Sequence, residues 1–249
     1  MDAFSKPKFA THIAALAGAY GGYSFWIENL NPRMNPDAIW RALLVTGCLR
    51  IVGHEHSIRA LLTHPDSRVR GWACFALGQL GDEASLEQIH AMNADASNRV
   101  RIHAWQAVQA MVGEEESGRL FPIRIPPQDR LILVSEDSEA MQSNISSLLG
   151  GMGYAVLVAS TEAETLALAL KLRPHAVVTD NQKGADNISG LNLTWDICRI
   201  RELRETVVFM LTADTVEPFF LWSGGDYFLH KLTISLSALA EVVNEYLHH

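Results

Sequence analysis

The chain has 249 residues, 48% hydrophobic and 19% charged, the composition of an ordinary globular protein with one large or two average domains. Its net charge is −8, no apolar run approaches the ~18 residues a membrane span needs, and no signal-peptide pattern opens it. Cys48, Cys74 and Cys198 are far apart and embedded in helical patterns, so core thiols and a cytoplasmic location are expected, not a disulfide or zinc framework.

Helical apolar spacing governs the first half, and it repeats. Ala42, Ala73 and Ala104 are 31 residues apart, as are Val45, Ala76 and Ala107, then Leu49, Leu80 and Met111. Ile58 and Ile89 mark a second helix in two of these units, Ile27 fits the same step earlier, and Val69-Arg70 recurs as Val100-Arg101. A fixed period with small residues where helices approach closely predicts a stack of helical pairs. The stretch HPDSRVRGWACFALGQLGD (64–82) resembles short HEAT-like repeats, the following SNRVRIHAWQAVQAMVG is a looser copy, and NPDAIWRALLVTGCLRIVG before it lacks the Val-Arg pair. That resemblance spans about residues 33–113 and implies an all-α HEAT-like solenoid that binds an unidentified protein partner. Residues 1–30 read as a cap or a separate helical arm.

Several features in this half carry a plainer reading beside the functional one. His54-Glu55-His56 has the composition of a metal motif but reads as a solvated turn between helices. Arg68, Arg70, Arg99 and Arg101 are expected to pair with acids such as Asp66 and Asp95 between repeats, not to form an anion-binding ridge. Trp72 and Trp105 sit at packing positions. Residues 1–129 hold 12 Lys+Arg against 13 Asp+Glu and residues 130–249 hold 8 against 15, so neither half has the basic excess of a nucleic-acid binder.

The grammar changes at Glu114-Glu115-Glu116 and the stretch FPIRIPPQ (121–128), where Pro126-Pro127 favours an extended connector. The expected organisation is a helical repeat domain over 1–116, a Pro-rich linker over 117–128 and an α/β domain over 129–249. In that last domain strands and helices alternate. Strands are predicted at Leu131–Val134, Tyr154–Val158, Ala176–Thr179, Val207–Leu211 and Tyr227–Leu229. Helices are predicted at Ser138–Gly150, Glu162–Leu172, Leu191–Leu203 and Ile234–Tyr246, with a short or irregular one after Thr212. Such alternation predicts a doubly wound, parallel, five-stranded sheet.

The strand ends carry the chemistry. Glu136-Asp137 follows LILV, Asp180 follows AVVT, Thr212 follows VVFML and Lys231 follows DYFLH. In an open parallel sheet these tips share one rim, where ligands bind. Clustered carboxylates repel one another, and a divalent cation is their natural neutraliser. Mg2+ needs only one or two carboxylates beside other oxygens and water.

Order and spacing over about 129–248 resemble the receiver domain of two-component response regulators, a flavodoxin-like fold. The resemblance implies that Asp180 is the phosphoacceptor. It further implies that Glu136, Asp137, Asp180 and the backbone carbonyl of Gln182 hold Mg2+, and that Thr212, Lys231 and Phe228 bind the phosphoryl group or switch with it. The implied partner is a sensor histidine kinase or phosphotransfer protein, with no membrane or nucleic-acid partner and no enzymatic activity beyond Mg2+-dependent self-phosphorylation. Several positions depart from the family: Glu136 replaces an aspartate, NQKGADNISGL lacks the usual proline, and Leu232 replaces a proline. These departures suit a second possibility, a phosphorylation-independent pseudo-receiver scaffold. A haloacid-dehalogenase-type phosphatase would need an acid where Gln182 stands. The apolar run after Thr212, with Phe219, Phe220 and Trp222, is expected to form an interaction surface.

Overall fold

A computed structural model of the protein describes residues 7–19, 27–113, 130–181, 190–214 and 216–248. The chain divides into two compact units, Met1–Arg124 and Ile125–His248. The expected linker, 117–128, lies outside the described residues.

The first unit is helical. Its elements are α1 (Pro7–Ala19), α2 (Pro36–Leu49), α3 (Glu55–Arg59), α4 (Ser67–Leu80), α5 (Leu86–Ala91) and α6 (Asn98–Val112). Short 3-10 turns at Ala60–Thr63, Glu83–Ser85 and Met92–Ala94 extend α3 and flank α5. Local chemistry sets the boundaries. The Asn35 side chain caps α2 ahead of Pro36 at its first position, Asp66 accepts from the backbone N–H groups of Arg68 and Val69, and Gly81 ends α4 at φ +67°.

The 31-residue register is the packing register. Ala42, Ala73, Ala104, Val45, Ala76 and Ala107 are all buried on α2, α4 and α6, and Ile58 and Ile89 are buried beside them. Leu49, Leu80 and Met111, at the last turns of those helices, are only half-buried. Trp72 stacks on Trp40 with ring centroids 6.2 Å apart, and Trp105 is also buried. Arginines then tie one repeat to the next. Arg70 makes paired bonds to Asp95 (2.8 and 2.8 Å), and Arg59 does the same to Asp82 (2.7 and 2.9 Å). Asp66 caps α4 instead of pairing with an arginine side chain across repeats, and the Arg68 guanidinium lies 3.9 Å from the Asp37 carboxylate. In the His54-Glu55-His56 turn both Glu55 carboxylate oxygens accept from the Gly53 N–H at 3.0 Å, a turn-closing role.

The second unit is a five-stranded parallel sheet in the order β2-β1-β3-β4-β5. The strands are β1 (Leu131–Ser135), β2 (Ala155–Ala159), β3 (Ala176–Thr179), β4 (Val207–Thr212) and β5 (Tyr227–His230). Helices α7 (Glu139–Gly151), α8 (Glu162–Leu172), α9 (Gly190–Arg199), α10 (Glu217–Trp222) and α11 (Leu236–His248) alternate with them. The α9 helix is shorter than its pattern predicts, because the chain breaks at Ile200 and Arg201–Leu203 forms a separate 3-10 turn. With only six residues, α10 matches the short helix expected there. Central β3 and β4 are buried at every position, the mark of strands covered on both faces, whereas edge strand β2 leaves Leu157 and Val158 exposed.

Candidate functional site

Parallel register brings the strand tips together. Ser135 pairs with Thr179, so the next residues, Glu136 and Asp180, leave adjacent strands at the same level, and Asp180 N–H bonds Ser135 O at 3.0 Å. On the other side Thr212 pairs with His230, and Lys231 N–H bonds Thr212 O at 2.8 Å.

Across this rim the Lys231 ammonium donates to both Asp180 Oδ2 (2.7 Å) and Glu136 Oε2 (2.8 Å). Glu136 is only 3% exposed, and its other carboxylate oxygen accepts from Ser138 N–H. Burial raises the Glu136 pKa, opposed by its bond to Lys231 and reinforced by the charge of Asp180. For Lys231, burial pushes downward, but the bonds to Asp180 and Glu136 outweigh it and the ammonium is held charged. Asp180 Oδ1 accepts from the N–H of Asn181 at 2.7 Å, so both oxygens of the candidate nucleophile are held.

Thr212 is buried at the end of β4, its Oγ1 accepting from Asp214 N–H at 3.3 Å. Phe228 is half-buried, with its ring 6.1 Å from that of Phe220. Asp137 is exposed beside the rim, and Gln182 lies outside the described residues.

The donor set suits a hard cation in kind. Glu136 and Asp180 each present an anionic oxygen within 2.8 Å of one positive group, and Mg2+ is satisfied by one or two carboxylates with water. Among the described residues, no group of three or more His, Cys, Asp or Glu side chains is gathered closely enough to hold a metal ion.

The expected surface of Phe219, Phe220 and Trp222 needs correction. Only Phe219 is exposed (44%), while Phe220 and Trp222 are buried. The short α10 turns Phe220 inward until its ring fills the space that a Cβ on Gly225 would need, so this apolar run mainly supplies core.

Four residues near the rim escape a reading of strand tips. Asn181 Nδ2 bonds Asp214 Oδ2 at 2.8 Å, and Gln142 Nε2 bonds the Glu136 carbonyl at 2.6 Å. Glu162, the first residue of α8, is 8% exposed, one of its carboxylate oxygens has no hydrogen-bond partner among the described residues, and burial plus the Asp180 charge push its pKa up to about 7. Asn181 and Asp214 lie one and two residues past positions the strand-tip argument named, a signal within reach. Glu162 had none, because a Glu in a first helical turn is ordinarily a solvated partner of the helix dipole.

Residues 55–120 match the family HEAT repeats. No curated protein matches the chain. Among solved structures, the chemotaxis protein CheY4 of Vibrio cholerae is 22% identical over 47% of this chain and 98% of its own, with a TM-score of 0.43. A response regulator receiver domain protein from Clostridium thermocellum is 24% identical over 47% of this chain and 94% of its own, TM-score 0.43. The receiver domain of a Pseudomonas aeruginosa sensor histidine kinase, solved with a magnesium ion coordinated in its active-site cleft, is 21% identical over 48% of this chain and 98% of its own, TM-score 0.44. Strand order and register of this chain itself, β2-β1-β3-β4-β5 all parallel, define the flavodoxin-like fold. The chain thus joins HEAT-like helical repeats to an α/β unit of flavodoxin-like fold.

Proposed function

We propose that the protein is a two-component response regulator whose receiver-like unit accepts a phosphoryl group on Asp180 and controls a protein–protein interaction made through the HEAT-like repeats. The observation that carries this reading is the convergence of Lys231 on Asp180 (2.7 Å) and Glu136 (2.8 Å) at the carboxyl rim of the sheet. An Asp180 carboxylate oxygen attacks the phosphorus of a phosphohistidine or a small acyl phosphate, and the leaving group departs as imidazole or carboxylate. Lys231, already charged between two carboxylates, moves part of its interaction to the incoming phosphoryl oxygens. The Thr212 hydroxyl then donates to one of those oxygens, drawing the β4–α10 loop toward Asp180, with Phe228 as the neighbouring aromatic that responds. Glu136, Asp137, Asp180 and the Gln182 carbonyl would hold Mg2+, which would supply charge neutralisation. No further catalytic activity is proposed, and the donor is a histidine kinase or phosphotransfer protein.

Intact-protein mass after incubation with acetyl phosphate and Mg2+ tests this reading. A gain of one phosphoryl group, about 80 Da, is expected in the wild type and absent in Asp180→Asn. No adduct together with no Mg2+ binding overturns it. Glu136, Leu232 and the proline-free NQKGADNISGL stretch favour a second reading, a pseudo-receiver scaffold that works without phosphorylation. That outcome would support it.

A further inference from the structure

The rim contains a polar connection that phosphoacceptor chemistry does not by itself require. Asn181 N–H donates to Asp180 Oδ1 (2.7 Å), its side-chain Nδ2 donates to Asp214 Oδ2 (2.8 Å), and Asp214 N–H donates to Thr212 Oγ1 (3.3 Å). Three short links therefore run from the β3 tip to the β4 tip, joining acceptor carboxylate to hydroxyl. Asn181 is only 9% exposed, and its Oδ1 is buried with no hydrogen-bond partner among the described residues. A buried acceptor left unmade is costly, so what retains an amide here is its other end, a charge-assisted bond to the Asp214 carboxylate. That bond also settles the orientation of the amide, since the flipped one would set Oδ1 against an anionic oxygen.

We infer that Asn181 and Asp214 are positioning residues for phosphoryl transfer, a side-chain bridge that aligns the Asp180 carboxylate with the Thr212 hydroxyl. The inference rests on the reading of Asp180 as acceptor. Through Asn181, the bridge fixes the N–H that holds Asp180 Oδ1, and so the direction from which the carboxylate meets phosphorus. Through Asp214, it places an N–H on a lone pair of Thr212 Oγ1, which leaves the hydroxyl hydrogen to be donated to a phosphoryl oxygen. In the reaction a bond forms between an Asp180 oxygen and phosphorus, the bridging P–O bond of acetyl phosphate breaks, and acetate leaves with the electron pair. Neither bridge residue exchanges a bond or a proton. Their effect is on alignment, which belongs to the rate at saturating donor more than to its KM.

Exchanging the two residues tests the bridge. Asn181→Asp alone sets two carboxylates face to face and breaks it, whereas Asn181→Asp with Asp214→Asn reverses donor and acceptor and keeps one N–H···O bond at unchanged net charge. With acetyl phosphate and Mg2+, Asn181→Asp is expected to lower the saturating phosphorylation rate about tenfold with KM within about twofold of wild type. The double exchange is expected to return to within about threefold of wild type. In the unphosphorylated protein, hydrogen exchange of the Asp214 amide should quicken in the single variant and slow again in the double. A single variant as fast as wild type, or a double variant no faster than the single, overturns the bridge. A wild type that takes no phosphoryl group overturns the acceptor reading and the bridge with it, a result distinct from failed rescue in an active protein.

Discussion

Lys231 and Glu136 define what a single side chain contributes here. Glu136 is buried at 3% exposure, and Lys231 is the cation that makes an ionised carboxylate tolerable there. Lys231→Ala leaves two carboxylates facing each other, one deeply buried, and is expected to destabilise the unit by about 3 kcal/mol, as for breaking one side of a buried pair. Lys231→Ala with Glu136→Gln should recover a large part of that loss in urea titrations. Glu162 gives a pH signature. Its carboxyl has a usual value of 4.5 and rises to about 7 in the folded protein. The folded state then binds the proton more tightly than the unfolded one between those values. The stability this group contributes is highest below pH 4.5, declines as pH rises through 7, and is absent above. At 1.36 kcal/mol per pKa unit the whole effect is at most about 3 kcal/mol. Glu162→Gln should therefore stabilise the protein at pH 8 and do little at pH 4.5, read as the difference between two urea midpoints.

At the scale of elements, two devices hold neighbouring repeats together. The first is close approach. A Cβ added to Gly78 on α4 would collide with the backbone and Cβ of Ala107 on α6. Gly78→Val is expected to cost about 3 kcal/mol or more by overpacking, measured as a fall in melting temperature of residues 1–124 within the intact chain. The second is the Arg70–Asp95 pair, whose side chains are 16% and 9% exposed and doubly bonded. A double-mutant cycle over Arg70→Ala and Asp95→Ala should give a coupling of about 1–2 kcal/mol, above the value for solvated ion pairs. The 31-residue period was legible because each step returns the same small residue to the same helix contact. Its third column, Leu49, Leu80 and Met111, stays half-buried, since a period says which positions are equivalent but not how far the neighbouring helix reaches.

For the whole molecule, each of the two units has its own core, one built on Trp40, Trp72 and Ile58, the other on Ile132, Val178 and Phe209. Residues 125–249 produced alone should melt cooperatively, followed by circular dichroism, because they contain the whole five-stranded sheet and the helices that alternate with it; a molten fragment would contradict this. No helix among the described residues is long and apolar enough to cross a membrane.

Sequence alone determined the two classes of architecture and the rim. Hydrophobic periodicity distinguishes stacked helices from alternating strands, and in a parallel sheet a residue just past a strand has one place to go. Glu136, Asp180, Thr212 and Lys231 were nameable for that reason. Tertiary structure decided what each side chain meets once it arrives there. It turned Phe220 and Trp222 inward where their composition suggested a surface, the Phe220 ring taking the space that the missing side chain of Gly225 leaves. It also joined Asn181 to Asp214, residues 33 positions apart, and buried Glu162 within the field of Asp180. Such contacts depend on distances across the sheet, and no local pattern along the chain encodes them.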